Sequence, residues 1–419
     1  MTVATPARHA RRWQRGLVQE TAEPGVIDLG PGYLDPALLP VELVREAQVS
    51  ALAEFGAAAL AYGNNAGAHP LREALAERAT RADGHPCGPE NVLVTAGTSQ
   101  ALYLISTALA SPGDAVLTDG LCYDLAQKLF TDCRLTLRRV PADSAGMSPQ
   151  ALRETLRAPA PGGVRPAFLY LNPTFHNPTG RTLTTARRRE LLAVAAEYGL
   201  LVVEDDAYAG LALDPAAEPP QSLAALADHR GVLRLGTFSK TLAPGLRLGW
   251  LLGDPALVDR LAAHGLFVSG GSLNHTASLA AAVVLANGEY DRHVAFLCGE
   301  LAARRDALVA GLRAVDLPEP VRFRVPSGGY FLWLEPVAGH REAELLRAAA
   351  LAGVRIAAGS RFGPGGENSF RLAFSFNSSG RLVMAAERLA AAWRTLSPPS
   401  TTHPSATPLS TGAECVRDR

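Results

Sequence analysis

Val232-Leu233-Arg234-Leu235-Gly236-Thr237-Phe238-Ser239-Lys240-Thr241-Leu242-Ala243-Pro244-Gly245-Leu246-Arg247-Leu248-Gly249-Trp250-Leu251-Leu252 sets two short apolar runs around a loop of small and hydroxyl residues. Runs this short and this apolar read as strands buried on both faces, as in a mostly parallel sheet between helices. The pattern recurs upstream. Val92-Leu93-Val94-Thr95 precedes a helical run from Gln100 to Leu109, and Ala115-Val116-Leu117-Thr118 and Phe168-Leu169-Tyr170-Leu171 follow. A helical stretch from Thr185 to Tyr198 leads into Leu200-Leu201-Val202-Val203. The region from about Asn91 to Gly253 is therefore expected to be an α/β domain.

Lys240 is the residue to explain in the opening loop. The chain has 40 basic residues, and only Lys128 and Lys240 are lysines. GC-rich coding accounts for the scarcity of lysine but not for where Lys240 is kept. Arginine serves for a surface charge, whereas a nucleophilic amine must lose its proton, and only lysine does that. Carbonyl chemistry through a Schiff base needs that free amine.

The bulk properties narrow the classes. Forty acidic residues balance the forty basic ones, which gives no electrostatic case for nucleic acid or an anionic membrane. Five scattered cysteines without CxxC spacing argue against a disulfide framework and a zinc site. No apolar run has signal-peptide or membrane-span character, so a cytoplasmic protein is expected.

Outside the α/β region, residues 1–25 are basic and irregular, with Arg11, Arg12 and Arg15 around Trp13. The periodicity predicts a bridging helix over Tyr290–Val315, then strands at Gly328–Leu334 and Ser369–Phe374 around a helix at Arg341–Ala352. That pattern suits a smaller α+β domain. The expected division is 1–55 as an N-terminal arm and first part of the small domain, 56–299 as the large domain and 300–396 as the C-terminal small domain. The Ser/Thr/Pro-rich tail, 397–419, is expected to be disordered.

In open α/β sheets, ligands gather beyond the carboxyl ends of the strands, and four polar groups fall there. Gly97-Thr98-Ser99 at a helix start offers backbone N–H groups and hydroxyls to a phosphate, although an ordinary Ser/Thr N-cap looks the same. Asn177 lies in a turn whose Pro178 and Gly180 are explained by the turn itself, and His176 reads as a turn residue. Glu204-Asp205-Asp206 follow a buried strand and need partners; one acid suits a positively charged heterocycle, and a helix N-cap is a reasonable reading of Asp206. Tyr208 is within reach of the same ligand. Thr237, Ser239, Lys240 and Arg247 complete the set. A phosphate cup, an acid for a ring nitrogen, a phenol and a Schiff-base lysine together describe a pyridoxal 5′-phosphate site.

On these motifs the chain resembles the class I and II aminotransferases of the fold-type I pyridoxal-phosphate superfamily. The similarity leans toward the branch with 2-aminoadipate and kynurenine aminotransferases and runs from about Ile27 to Trp393. The resemblance implies a large domain with a mostly parallel seven-stranded sheet covered by helices, plus a smaller α+β domain. It further implies that Lys240 carries the cofactor as a Schiff base and moves the substrate α-proton, and that Asp205 keeps the pyridine nitrogen protonated. Tyr208 and Asn177 would bond the ring's phenolic oxygen. Thr98, Ser99, Thr237, Ser239 and Arg247 would hold the phosphate, and Tyr123 would stack on the ring. Tyr62 would reach the phosphate of a neighbouring subunit in a homodimer. Arg371, with Gly32 alongside and Asn177 near, would bind the α-carboxylate.

Gly120-Leu121-Cys122-Tyr123 departs from the family's acidic-Pro-Thr-Tyr. The expected reaction is ping-pong transfer of an amino group from an L-amino acid to a 2-oxo acid. Another fate of the carbanion (elimination, cyclisation or oxidation) is the alternative within the same cofactor class. A DNA-binding regulator is the alternative outside it; only about 25 residues precede Ile27, short for a winged helix-turn-helix. For substrate choice, Asp35 would favour a basic side chain if it faced the pocket, and a solvated loop position is its other reading. An N-terminal arginine would favour a distal carboxylate.

Overall fold

The computed structural model describes residues 23–158, 163–214, 219–315, 322–335 and 340–396. Arg11, Arg12, Arg15 and the 397–419 tail lie outside them. The sheet has seven strands in the order Val92–Thr95, Gly249–Leu252, Val232–Thr237, Leu201–Asp205, Pro166–Leu171, Ala115–Asp119, Thr136–Val140. Gly249–Leu252 runs antiparallel to both of its neighbours; the remaining pairs are parallel. Apolar side chains on the two faces feed two separate cores. Val94, Leu117, Leu169 and Val202 belong to one, and Leu93, Val116, Phe168, Val203 and Leu235 belong to the other, as the period of two dictates.

Helices cover both faces. Thr185–Glu197 begins where Thr184 accepts a hydrogen bond from the Arg187 amide at 3.2 Å, an N-cap that satisfies one of the first orphan donors. The long helix Glu289–Ala314 leads to a three-stranded antiparallel sheet of Phe331–Leu334, Phe370–Ala373 and Ala357–Ala358. Helices Glu342–Leu351 and Ser379–Arg394 pack there.

The start of the described chain belongs with this C-terminal unit. Ile27–Asp28 pairs in parallel with Val354–Arg355, and Ile27, Leu29, Leu34 and Leu38 are buried in its core. Helix Val41–Phe55, by contrast, buries Ala47 and Ala51 in the core of the seven-stranded sheet. We therefore propose that the N-terminal segment passes to the large domain near Pro40 rather than after 55. Among the described residues, no helix is long and apolar enough to cross a membrane.

Candidate active site

Strand Leu201–Asp205 delivers three successive acids, and alternation sorts them. Glu204 is fully buried on one face. It accepts hydrogen bonds from the Leu223 and Ala224 amides at 2.8 and 3.1 Å and pairs with Arg188 at 3.4 Å. Burial and neighbouring Asp206 push its carboxyl up to about 7. Asp206 is held by Arg234 at 2.7 Å, and Arg234 also pairs with Asp83 at 2.8 Å. It does not cap a helix as expected: the chain turns after it, and the guanidinium supplies its partner.

Asp205 alone faces the other way. Tyr170 donates to its Oδ2 at 2.6 Å, while Oδ1 is buried with no hydrogen-bond partner. Burial raises this carboxyl to about 6, against the Tyr170 bond and with some help from Asp206. Asn172 donates to the Asp205 carbonyl, and its own side-chain oxygen accepts from the Asn177 amide at 2.6 Å. One asparagine thus ties Asp205 to the Asn177 turn. In that turn His176 bonds Thr179 at 2.8 Å and is driven down to about 3 by burial and Arg181, the structural part expected of it.

Lys240 sits in the loop after Val232–Thr237. Its Nζ donates to the Gly32 carbonyl at 2.8 Å, and Tyr330 donates to its backbone carbonyl at 2.6 Å. Burial and then Arg371 pull its ammonium down from 10.5 to about 8, with Asp205 opposing. The amine is within one pH unit of being free at neutral-to-alkaline pH. Tyr208 is buried edge-on to Tyr330 and Phe331. A Cβ on Gly32 would come 2.8 Å from the Phe331 ring and 3.8 Å from the Tyr208 hydroxyl, so glycine keeps this corner open.

Arg371 is buried between the rings of Phe331 and Phe362, at 4.2 and 4.8 Å. It donates to Asn177 Oδ1 at 2.7 Å and to the Gly30 carbonyl at 2.6 Å, and its Nε has no partner. Three of its five N–H donors therefore remain for a ligand, a number suited to a planar carboxylate.

The phosphate-cup residues also converge. Helix Thr98–Ala108 is capped by Gly97 at φ +88° with no side-chain cap bond. The Ser/Thr N-cap reading therefore does not apply, and the Thr98 and Ser99 hydroxyls are not spent on capping. Arg247, itself at φ +48°, donates to Ser239 Oγ and to the Ala96 carbonyl, both at 3.3 Å. A Cβ on Gly97 would press on its guanidinium at 3.0 Å. Thr237 uses its hydroxyl within the loop, donating to the Leu248 carbonyl and accepting from the Ser239 amide.

Tyr123 stands at the start of helix Asp124–Asp132, with its phenol raised by burial and by Asp205. Its unusual approach is anchored from the C-terminal unit. The Cys122 amide donates to the Phe362 carbonyl at 2.8 Å, and Gln127 bridges the Cys122 and Phe362 carbonyls at 2.6 and 3.0 Å. Tyr62 lies apart on the surface, 89% exposed.

Asp35 is half-buried and spends its carboxylate within the protein. It caps the short helix Pro36–Leu38 through the Ala37 amide and pairs with buried Arg304 at 2.9 Å. Tyr170, Asn172, Tyr330 and the Gly30 carbonyl were not singled out from the sequence. The one signal for Tyr170 is a hydroxyl inside an otherwise apolar strand.

An orphaned buried carboxylate oxygen, a buried lysine amine within its electrostatic reach, a clamped arginine with spare donors and a glycine-capped helix start are brought together on this α/β fold. The chain matches the class I and II aminotransferase family over residues 24–389 and belongs to that family. It is 35% identical to the 2-aminoadipate transaminase of Thermus thermophilus, over 86% of this chain and 88% of the relative. It superposes on Pyrococcus horikoshii kynurenine aminotransferase with a TM-score of 0.81 at 30% identity, covering 88% of this chain and 91% of that one. It is also 32% identical to an uncharacterised HTH-type transcriptional regulator of Bacillus subtilis, over 88% of this chain and 74% of the regulator. The protein is a pyridoxal-phosphate-dependent aminotransferase near the branch that holds the kynurenine and 2-aminoadipate enzymes.

Proposed function

We propose that the protein moves the amino group of an L-amino acid to a 2-oxo acid by a ping-pong mechanism, as a cytoplasmic homodimer. The observation that carries this reading is Asp205 Oδ1, a buried acceptor without a partner within electrostatic reach of the Lys240 amine. That is where a protonated ring nitrogen would be held. When bound there, pyridoxal phosphate supplies the electron sink for the bond-breaking at the substrate Cα.

The protein's own residues do the rest. Arg371 takes the substrate α-carboxylate with its free Nε–H and the N–H donors not used by Asn177 and Gly30. Lys240 Nζ takes the α-proton as general base and returns it on the far side of the transfer; a depressed amine pKa suits both halves. Asp205 keeps a proton on the ring nitrogen. Tyr208 and the Asn177 amide nitrogen would donate to the ring oxygen, and Tyr123 would stack on the ring. Thr98, Ser99, Thr237, Ser239 and Arg247 form the cup for the phosphate, with Tyr62 entering from a second copy. Gly32 leaves room for the substrate.

The test is the absorption spectrum of the purified protein, read with a panel of L-amino acids and beside Lys240→Ala. The expected result is a visible cofactor band that certain amino acids abolish and a 2-oxo acid restores. Abolition without restoration would point to elimination, cyclisation or oxidation instead. No band after reconstitution would overturn the reading, and a regulator would then be sought by DNA binding.

A further inference from the structure

We infer that Tyr170 is a positioning residue for the cofactor: its hydroxyl fixes the Asp205 carboxylate in one orientation and one charge state, so that the second oxygen is presented to the ring nitrogen. The inference rests on the proposed cofactor site.

The geometry comes from the sheet. Strands Pro166–Leu171 and Leu201–Asp205 are parallel neighbours in which Tyr170 stands opposite Val203. Asp205 lies two residues beyond Val203 and so projects from the same face. The Tyr170 ring is buried edge-on to Phe130 at 5.3 Å, which leaves the side chain little freedom to turn. Its hydroxyl bonds Asp205 Oδ2 at 2.6 Å while Oδ1 stays unpartnered.

The Ala207 amide also supports this carboxylate, but Tyr170 is the side chain that holds Oδ2, and the unpartnered Oδ1 is the position left for an outside donor. The other groups around it do not replace Tyr170. Asp206 carries the same charge, Lys240 donates to Gly32, and Tyr123, Tyr208 and Cys122 make no hydrogen bond to it. Burial favours the protonated carboxyl, and the Tyr170 bond works the other way. Without that hydroxyl Asp205 would be less well supported as a carboxylate, the form that would hold a protonated ring nitrogen.

The experiment is Tyr170→Phe, which keeps the ring and removes one oxygen. Cofactor affinity is measured by titrating cofactor-free protein with pyridoxal phosphate, and the pH midpoint of the bound cofactor's visible band is recorded beside kcat. The expected result is about tenfold weaker cofactor binding, the scale of one hydrogen bond to a charged group, with a displaced band midpoint. Unchanged affinity and midpoint would overturn the inference while leaving the cofactor site intact. Wild-type protein that binds no pyridoxal phosphate would instead remove the proposed function beneath it.

Should the single variant fail to fold, Asp205→Asn is compared with Asp205→Asn/Tyr170→Phe, where no buried carboxylate is left bare. Equal cofactor affinities support action through Asp205; a further loss in the double variant overturns it.

Discussion

Arg371 Nη1 donates to Asn177 Oδ1 at 2.7 Å, joining residues 194 positions apart in the chain. The bond holds the guanidinium of the C-terminal sheet against the turn that follows the large domain's strand Pro166–Leu171. It also orients the Asn177 amide, because an oxygen that accepts from Arg371 leaves the nitrogen to donate elsewhere. The proposed carboxylate clamp and the proposed ring-oxygen donor are therefore set by one contact.

Arg371→Ala should lower kcat/KM for amino acids by about 100- to 10,000-fold, from two lost charge-assisted hydrogen bonds at roughly 1.5–3 kcal/mol each. Arg371→Lys should recover little of this, since an ammonium keeps the charge but not the fork. Steady-state kinetics with one good donor decides it. Recovery of most of the activity in Arg371→Lys would mean that charge alone suffices.

The Lys240 amine should react with added pyridoxal phosphate with a pH midpoint near 8 rather than near its unperturbed 10.5. The folded protein favours the neutral amine, so reconstitution of cofactor-free protein accelerates as pH rises through about 8. Arg371→Ala removes a repelling cation and should move the midpoint upward; Asp205→Asn removes an attracting anion and should move it down. Stopped-flow absorbance across pH 6 to 11 measures all three (roughly the span of the two amine states). A wild-type midpoint at or above about 10 would contradict the buried setting of the amine.

Lys240 was legible because its motif is local, whereas Arg371 was reached only through the family resemblance. Strands Val92–Thr95 and Val232–Thr237 were also readable locally, being apolar on both faces. The edge strand Thr136–Val140 was not, because only one neighbour pairs with it and it carries Arg138 and Arg139. Arg139 serves the site at long range, donating to the Gly120 carbonyl at 2.9 Å ahead of Tyr123. Tyr170 and Tyr330 were illegible as site residues because their partners, Asp205 and Lys240, are set by strand register and domain packing. The pairing of Asp35 was illegible because its partner Arg304 is 269 residues away.

Asp35→Ala should destabilise the fold without changing which amino acids react. It strips buried Arg304 of its carboxylate, and breaking a buried pair in this way costs about 3–5 kcal/mol. The remaining Arg304 bond to the Ser375 carbonyl at 3.1 Å places the loss toward the lower end. Thermal unfolding should show the drop, and relative rates over the amino-acid panel should stay constant. A changed ranking of amino acids would return Asp35 to the substrate pocket.

Exposed Tyr62 should matter only in the assembled dimer. Tyr62→Ala and Lys240→Ala, each impaired alone, should regain activity when co-expressed, because a mixed dimer carries one site free of both substitutions. Random pairing would restore about a quarter of the wild-type sites. Light scattering establishes the dimer, and the activity of the mixture establishes the shared site. No recovery from a dimeric mixture would confine Tyr62 to its own subunit.

Asp119 ends strand Ala115–Asp119 with its Oδ1 buried and unpartnered. Burial raises it from 3.8 to about 7, with Arg181 opposing. A carboxyl whose folded pKa is raised stabilises the protein fully below its unfolded value, and that contribution disappears as pH rises through the folded value. Buried Glu204 and Asp205, raised to about 7 and about 6, act in the same direction, so cofactor-free protein should lose stability between about pH 4 and pH 7. Asp119→Asn removes the charge that must otherwise form in the interior. Its Tm should match wild type near the acid end and exceed it by several degrees at alkaline pH. Parallel melting curves across the whole range would mean that Asp119 is ionised throughout, with Arg181 as an adequate partner.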